Sequence, residues 1–362
     1  MNHPHTTHRH TTPLLTLLIL TLLILHLTPQ PTQAQIFKDP NTQKIVNTLR
    51  QHIKLSGYLQ TTYTLTPQEN TFELKRAIIM ADGQITPHWR LYYMFDFKGA
   101  KTLEAYAEYK INDALTIRLG QYKNPFSIEN QISPTLVEQI ESYSLVSNYL
   151  VLGGGDPLYG SQTGRDQGLM IHGNLINRGT YHALTYKLAL MNGQGINAKD
   201  RNQKKDLIAT LAYKPIQQAT LSASISEGRG NALAASPYNP TITPGTDYRR
   251  ARWSAGAQIQ THIADLRTEY MAGRDASVRS QGYYLTANLH LTTQLDLIAS
   301  YDHLQRNKDM GDAATETDYI GGLQYWFYPQ CRLQLVYTYR HNPHDPNQEG
   351  GNRLQAQIQV RF

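Results

Sequence analysis

The sequence predicts an all-β fold: a transmembrane antiparallel β-barrel of about sixteen strands, with one long connection folded into its bore. Three observations carry this. The C-terminal stretch 352–362 alternates almost perfectly, with Leu354, Ala356, Ile358, Val360 and Phe362 on one side and Arg353, Gln355, Gln357, Gln359 and Arg361 on the other. Segments of the same period recur along the chain between clusters of turn residues. The connections between them are alternately short and long. A lone strand with one oily face cannot cross a bilayer with its backbone groups unpaired, and only a closed barrel pairs them all.

The N-terminus supplies an export address. His3 to His10 with Arg9 form a polar, weakly basic start, Leu14 to Leu27 an apolar run, and Thr32-Gln33-Ala34 ends in a small residue. This pattern predicts a signal peptide over 1–34, cleaved after Ala34. The apolar run is too short for an anchor, which needs roughly twenty residues. Residues 35–52, with weak apolar spacing at Ile36, Ile45, Val46 and Leu49, read as a short periplasmic extension. The barrel is one domain, 53–362.

Its strands are expected near 53–65, 71–82, 88–98, 102–111, 115–123, 166–175, 180–191, 204–213, 219–226, 250–261, 263–273, 281–291, 294–305, 317–327, 331–341 and 352–362. In the third, Trp89, Leu91, Tyr93, Phe95 and Phe97 alternate with Arg90, Tyr92, Met94, Asp96 and Lys98. In the fourth, Leu103, Ala105, Ala107, Tyr109 and Ile111 alternate with Glu104, Tyr106, Glu108 and Lys110. Connections after even strands are short, as at Asn112-Asp113-Ala114, Thr292-Thr293 and Pro329-Gln330. Most after odd strands are long, as at 124–165, 192–203, 227–249, 306–316 and 342–351. Short periplasmic turns and long external loops are the mark of an outer-membrane barrel, and an even strand count puts both termini on the periplasmic side.

Composition agrees once this geometry is assumed. The mean hydropathy of −0.48 is that of a polar chain, which a barrel reconciles because only alternate residues meet lipid. Twenty-four tyrosines against seven phenylalanines suit the headgroup level; Tyr58, Tyr63, Tyr92, Tyr93, Tyr319, Tyr325 and Tyr328 are candidates for two girdles. The single cysteine, Cys331, excludes an internal disulfide and falls at a lipid-facing position as a small apolar residue. A net charge of +6, barely altered by losing Arg9, is compatible with anionic solutes or with lipopolysaccharide contact.

The connection 124–165 is the longest, with Pro125-Phe126, a possible helical piece over 134–150, and Gly153-Gly154-Gly155 as a flexible tip. A structureless loop of that length is usually functional, and in a wide barrel it can fold inward and constrict the bore. No Gly-Lys-Ser/Thr follows the glycines, so they do not form a phosphate-cradling loop. Arg118, Lys187, Arg250, Arg252, Arg267, Arg332 and Arg340 take lumenal parity, with Lys123 at a strand end, and rings of such residues favour anion passage. Glu104, Glu108, Asp296 and Asp302 share that face. His341, His344 and Asp345 sit in a stiff loop without metal-site spacing, and the scattered His182, His262, His290 and His303 converge on no nucleophile, so neither a metal, a cofactor nor a catalytic residue is expected.

Leu74-Lys75-Arg76-Ala77 with Gly83, Leu103-Glu104-Ala105-Tyr106, the run Gly120-Gln121-Tyr122-Lys123-Asn124-Pro125-Phe126-Ser127, and Met191-Asn192-Gly193 leading to Asp200, Asn202, Lys204 and Lys205 resemble the phosphate-selective porin O and P family of Gram-negative outer membranes, from about Leu55 to Phe362. The resemblance implies a sixteen-stranded barrel, usually trimeric, whose long third external loop enters the lumen and whose arginines and lysines attract phosphate. The chain departs from that pattern in its loop 124–165, which carries Glu129, Glu138, Glu141 and Asp156 but only Arg165 as a base. The expected function is passive diffusion of small hydrophilic solutes, anions such as phosphate among them. The expected partners are outer-membrane lipids, small anions, two further copies of the chain and the assembly machinery that reads Phe362, with no nucleic acid. A structural or adhesive closed barrel and a barrel hydrolase are the alternatives.

Overall fold

The computed structural model describes residues 52–141, 143–160, 162–342 and 351–362. The expected signal peptide 1–34, nearly all of the extension 35–52, and His344 and Asp345 lie outside them. Sixteen antiparallel strands close into a barrel: β1 (Ile53–Leu65), β2 (Asn70–Gln84), β3 (Trp89–Asp96), β4 (Lys101–Asn112), β5 (Leu115–Lys123), β6 (Arg165–Asn177), β7 (His182–Met191), β8 (Asp206–Ile216), β9 (Ala219–Asn231), β10 (Asp247–Gln260), β11 (Ala264–Asp275), β12 (Val278–His290), β13 (Leu295–Gln305), β14 (Thr315–Tyr328), β15 (Cys331–His341) and β16 (Arg353–Arg361). Each lies beside its sequence neighbours, and β16 returns to β1 with Tyr58 opposite Arg361 and Leu65 opposite Leu354. The Gly57 amide donates to the Phe362 carbonyl at 3.1 Å and the Phe362 amide to the Gly57 carbonyl at 3.0 Å. Closure leaves no unpaired edge.

Period-two patterning decides which side chains meet water. On β16, Gln355, Gln357 and Gln359 are buried inside while Ile358, Val360 and Phe362 are exposed outside. The inward amides pair across the seam, Gln60 Nε2 donating to Gln359 Oε1 at 2.8 Å and Thr62 Oγ1 to Gln357 Oε1 at 3.3 Å. Outside, Tyr283, Tyr301, Tyr319 and Tyr339 form a chain of rings 5.2–6.1 Å apart across β12 to β15, at the end of the barrel bearing the long connections. This is an aromatic girdle. Tyr63, Tyr93, Tyr319, Tyr325 and Tyr328 face outward with it.

Four expectations fail, two by regular alternation and two where the ladder is interrupted. Tyr58 and Tyr92 point inward, Tyr58 packing with Ile78, Met94 and Leu103 and Tyr92 stacking on Tyr106 at 5.2 Å. Leu103 is turned inward because the β3–β4 register slips between Met94 and Phe95, so that Glu104 faces Met94 and Thr102 faces Phe95. A second slip, at Trp326 and Tyr328, leaves Cys331 buried rather than lipid-exposed, its Sγ 3.4 Å from the Arg361 amide. The connections after even strands are short throughout; those after odd strands are long except at 66–69, 97–100 and 276–277.

Candidate functional site

Between β5 and β6 the chain leaves the wall and crosses the bore. Ser127, at φ 71°, caps α1 (Ile128–Gln131), its hydroxyl accepting from the Glu129 and Asn130 amides and donating to Glu269 Oε2 on β11 at 2.8 Å. The Ile128 amide donates to both Glu269 oxygens at 3.1 Å. From 133 to 141 the connection follows the wall of β13 to β16 and β1, and wall side chains take its carbonyls: Gln359 to Thr135 O at 3.2 Å, Arg332 to Val137 O at 2.8 Å, Gln334 to Glu138 O at 2.8 Å. Carbonyls so engaged are lost to a helical ladder, which is why the expected helix over 134–150 shrinks to α2 (Leu145–Leu150). Past α2, Gly153 (φ 71°) and Gly155 (φ 78°) make a tight stop, the Gly154 amide donating to Asn148 O at 2.8 Å. The glycines are thus a helix terminus, not a flexible tip. Phe126 is buried with Tyr122, Tyr149 and Leu158, and the Pro125 carbonyl accepts from Thr210 Oγ1.

One ion-pair group fastens this connection to the far half of the barrel, and further pairs tie the wall strands there to one another. Arg267 donates to both Glu138 oxygens, at 3.3 and 2.6 Å, with Glu129 3.8 Å away. Burial raises the pKa of Glu129, against the pull of Arg267 and of Ser144, whose hydroxyl and amide donate to it at 2.6 and 3.0 Å. Arg252 meets Asp275 at 2.8 Å, and Asp275 also accepts from Tyr159. Arg250 bridges Asp206 at 2.6 Å and the Gly193 carbonyl at 2.7 Å. Arg340 grips Asp318 with two bonds of 2.7 Å. On the near half, Arg118 pairs with Glu108 at 2.6 Å and Arg165, the first residue of β6, with Glu104 at 3.0 Å. Buried guanidinium groups require such partners because a desolvated lone charge costs several kcal/mol.

Three cations on the near wall are held otherwise. Lys123 donates to the Ile132 carbonyl at 2.7 Å, Lys187 to Gln131 Oε1 at 2.8 Å, and Arg76 to Gln60 Oε1 at 2.8 Å. Every acceptor is neutral, and among the described residues none of the three forms an ion pair; the two lysines lie where 131–132 of the connection face β5 and β7. One tether crosses on this side, Lys75 to Glu141 at 3.2 Å.

Residues 47–362 match the family described as Phosphate-selective porin O and P. The chain belongs to that family. It is a porin, an outer-membrane channel for small hydrophilic solutes. No curated protein matches its sequence, but solved barrels share its fold. The trimer form of OmpT, an outer membrane protein of Vibrio cholerae, superposes with a TM-score of 0.61 at 11% identity, covering 86% of this chain and 99% of that one. OmpF of Salmonella typhi, solved with daunomycin, gives 0.63 at 15% identity over 86% and 97%. The anion-selective porin from Comamonas acidovorans gives 0.57 at 12% over 86% and 98%.

The eight basic residues singled out from the sequence therefore divide. Arg118, Arg250, Arg252, Arg267 and Arg340 are ion-paired; Arg332 is buried against the Val137 carbonyl and Gln324; Lys123 and Lys187 likewise have neutral partners, Ile132 O and Gln131 Oε1. Sequence reasoning missed Arg76 because Lys75 and Arg76 are consecutive yet both reach inward partners, a break in strict alternation. Its only signal was membership of the Leu74-Lys75-Arg76-Ala77 motif.

Proposed function

We propose that this porin passes small anions preferentially, along the wall of β2, β5 and β7 that carries Arg76, Lys123 and Lys187, the two lysines also holding residues 131–132 of the connection 124–164. The observation that carries the reading is the neutral hydrogen bonding of those three cations, set against the ion pairing of Arg118, Arg250, Arg252, Arg267 and Arg340. A fixed positive charge in a narrow, partly desolvated passage raises local anion concentration and lets side chains replace part of the hydration shell. Phosphate is a natural solute for such a site. Glu129, Glu138 and Glu141 do not oppose it, since Glu138 and Glu141 pair with Arg267 and Lys75 on the wall and Glu129 is buried against Ser144 of the connection and near Arg267. Arg267, paired with Glu138, anchors the constriction, and the other paired arginines brace the wall.

The mature chain begins at Gln35, after cleavage behind Ala34, and assembles as a trimer with both termini in the periplasm; the trimer form of OmpT and the anion-selective character of the Comamonas porin support this on grounds of shared fold. Transport needs no cofactor and no catalytic residue. Reconstitution in a planar bilayer under a KCl gradient tests the proposal: the reversal potential is expected on the chloride side, and millimolar phosphate is expected to reduce chloride current. Cation-selective steps, or no steps, would overturn it.

A further inference from the structure

A second cavity, of about 700 Å³, opens at the short-turn end between 131–138 of the connection and the wall of β10 to β14. Its volume lies within the usual range of small-molecule sites, roughly 300–1,000 Å³. Its chemistry is unlike that of the anion path. Asp265 and Asp296 both line it, and among the described residues neither forms an ion pair with lysine or arginine. Asp296 accepts from His290 Nδ1 at 2.8 Å, Trp326 Nε1 at 2.9 Å and Gln324 Nε2 at 2.7 Å; the same imidazole lies 3.9 Å from Asp265. Two carboxylates thus share one histidine, whereas Glu138 in the same cavity is neutralised by Arg267. Facing them is an apolar patch. Leu136 is 54% exposed, and Ile132 and Trp326 complete the lining.

We propose that this vestibule binds amphipathic organic cations, the ammonium group lying between Asp265 and Asp296 and the apolar body against Leu136, Ile132 and Trp326. Charge complementarity selects the cation and excludes inorganic anions. The patch adds affinity that a bare ammonium cannot collect, since burying apolar area contributes about 25 cal/mol per Å². The site does not depend on the anion preference of the constriction, because its charge comes from Asp265 and Asp296 on β11 and β13, whereas Lys123 and Lys187 hold the far side of residues 131–132.

The test uses the full folded chain in detergent and the fluorescence of Trp326, isolated as the difference between the wild type and Trp326→Phe. Titration with phenethylammonium chloride is expected to give a saturable change. Ethylammonium, lacking the ring, and 2-phenylethanol, lacking the charge, are each expected to bind about tenfold more weakly or worse. Asp265→Asn should weaken phenethylammonium by about tenfold, as should Leu136→Ser, and added salt should weaken the amine but not the alcohol. Asp296→Asn breaks a structural network, so Asp265→Asn carries the charge arm: Asp265 has only the long imidazole contact to lose. A non-saturable signal, equal binding of alcohol and amine, or titrations unchanged in both Asp265→Asn and Leu136→Ser would overturn the proposal. Conductance is not read, so the result stands apart from that of the channel experiment.

Discussion

Arg267 illustrates how a lumenal cation is spent on structure. It is 3% exposed, pairs with Glu138 and leans on Glu129, both from a segment more than a hundred residues away in sequence. Arg267→Gln would leave those carboxylates buried without their cation, and such a loss costs about 3–5 kcal/mol. The expected result is a marked fall in the thermal midpoint of the folded barrel together with noisier single-channel current. Replacing both partners with apolar residues, Arg267→Met with Glu138→Leu, should recover most of the midpoint; a double variant as unstable as the single would refute the pairing. Glu141 gives a pH signature. Burial alone would raise its pKa, but Lys75, Arg353 and Gln355 outweigh burial and hold it at about 2. A depressed folded-state pKa stabilises above the ordinary value near 4.5 and is lost as pH falls toward 2. The tether to Lys75 should therefore loosen over that acid window, seen as a change in open-channel current that Glu141→Gln abolishes. None of these pairings was legible in the sequence, because 206 with 250, 252 with 275 and 318 with 340 come together only through sheet register, and 138 with 267 only through the course of the connection across the bore.

At the scale of elements, the strands were the legible part. Alternation in 88–98 or 331–341 is a direct imprint of a bilayer on one face and water on the other, and the long and short connections gave the order of hairpins. Register slips were not legible: Leu103 and Cys331 carry no mark that a neighbouring strand skips a residue opposite them. The irregular course of 133–141 was equally hidden, since Gln334, Gln359 and Arg332 on distant strands decide it. The closing seam offers a test. A Cβ on Gly57 would lie 2.7 Å from both the Phe362 ring and the Ile78 carbonyl, so Gly57→Val should push Phe362 from its place and weaken the β1–β16 ladder. Less folded barrel on semi-native gels and a lower unfolding temperature are expected, while Gly321→Ala, where a Cβ meets nothing within 4 Å, should change neither.

For the whole molecule, the distribution of charge matters more than its sum. The net of +6 says little about conduction, because most lumenal arginines are matched by acids and the connection 124–164 covers the wall that holds many of them. What remains is the strip of Arg76, Lys123 and Lys187 on the wall of β2, β5 and β7, with the opposite sign at Asp265 and Asp296 near the short turns. Long-range effects of such exposed charge fade beyond about 10 Å at 0.1 M salt, so selectivity should weaken as ionic strength rises. The decisive measurement is the reversal potential in a tenfold KCl gradient for the triple variant Arg76→Gln, Lys123→Gln, Lys187→Gln beside the wild type. A shift toward cation preference with near-normal conductance is expected from the strip; an unchanged potential in a folded, conducting variant would contradict it and return the selectivity to the paired arginines.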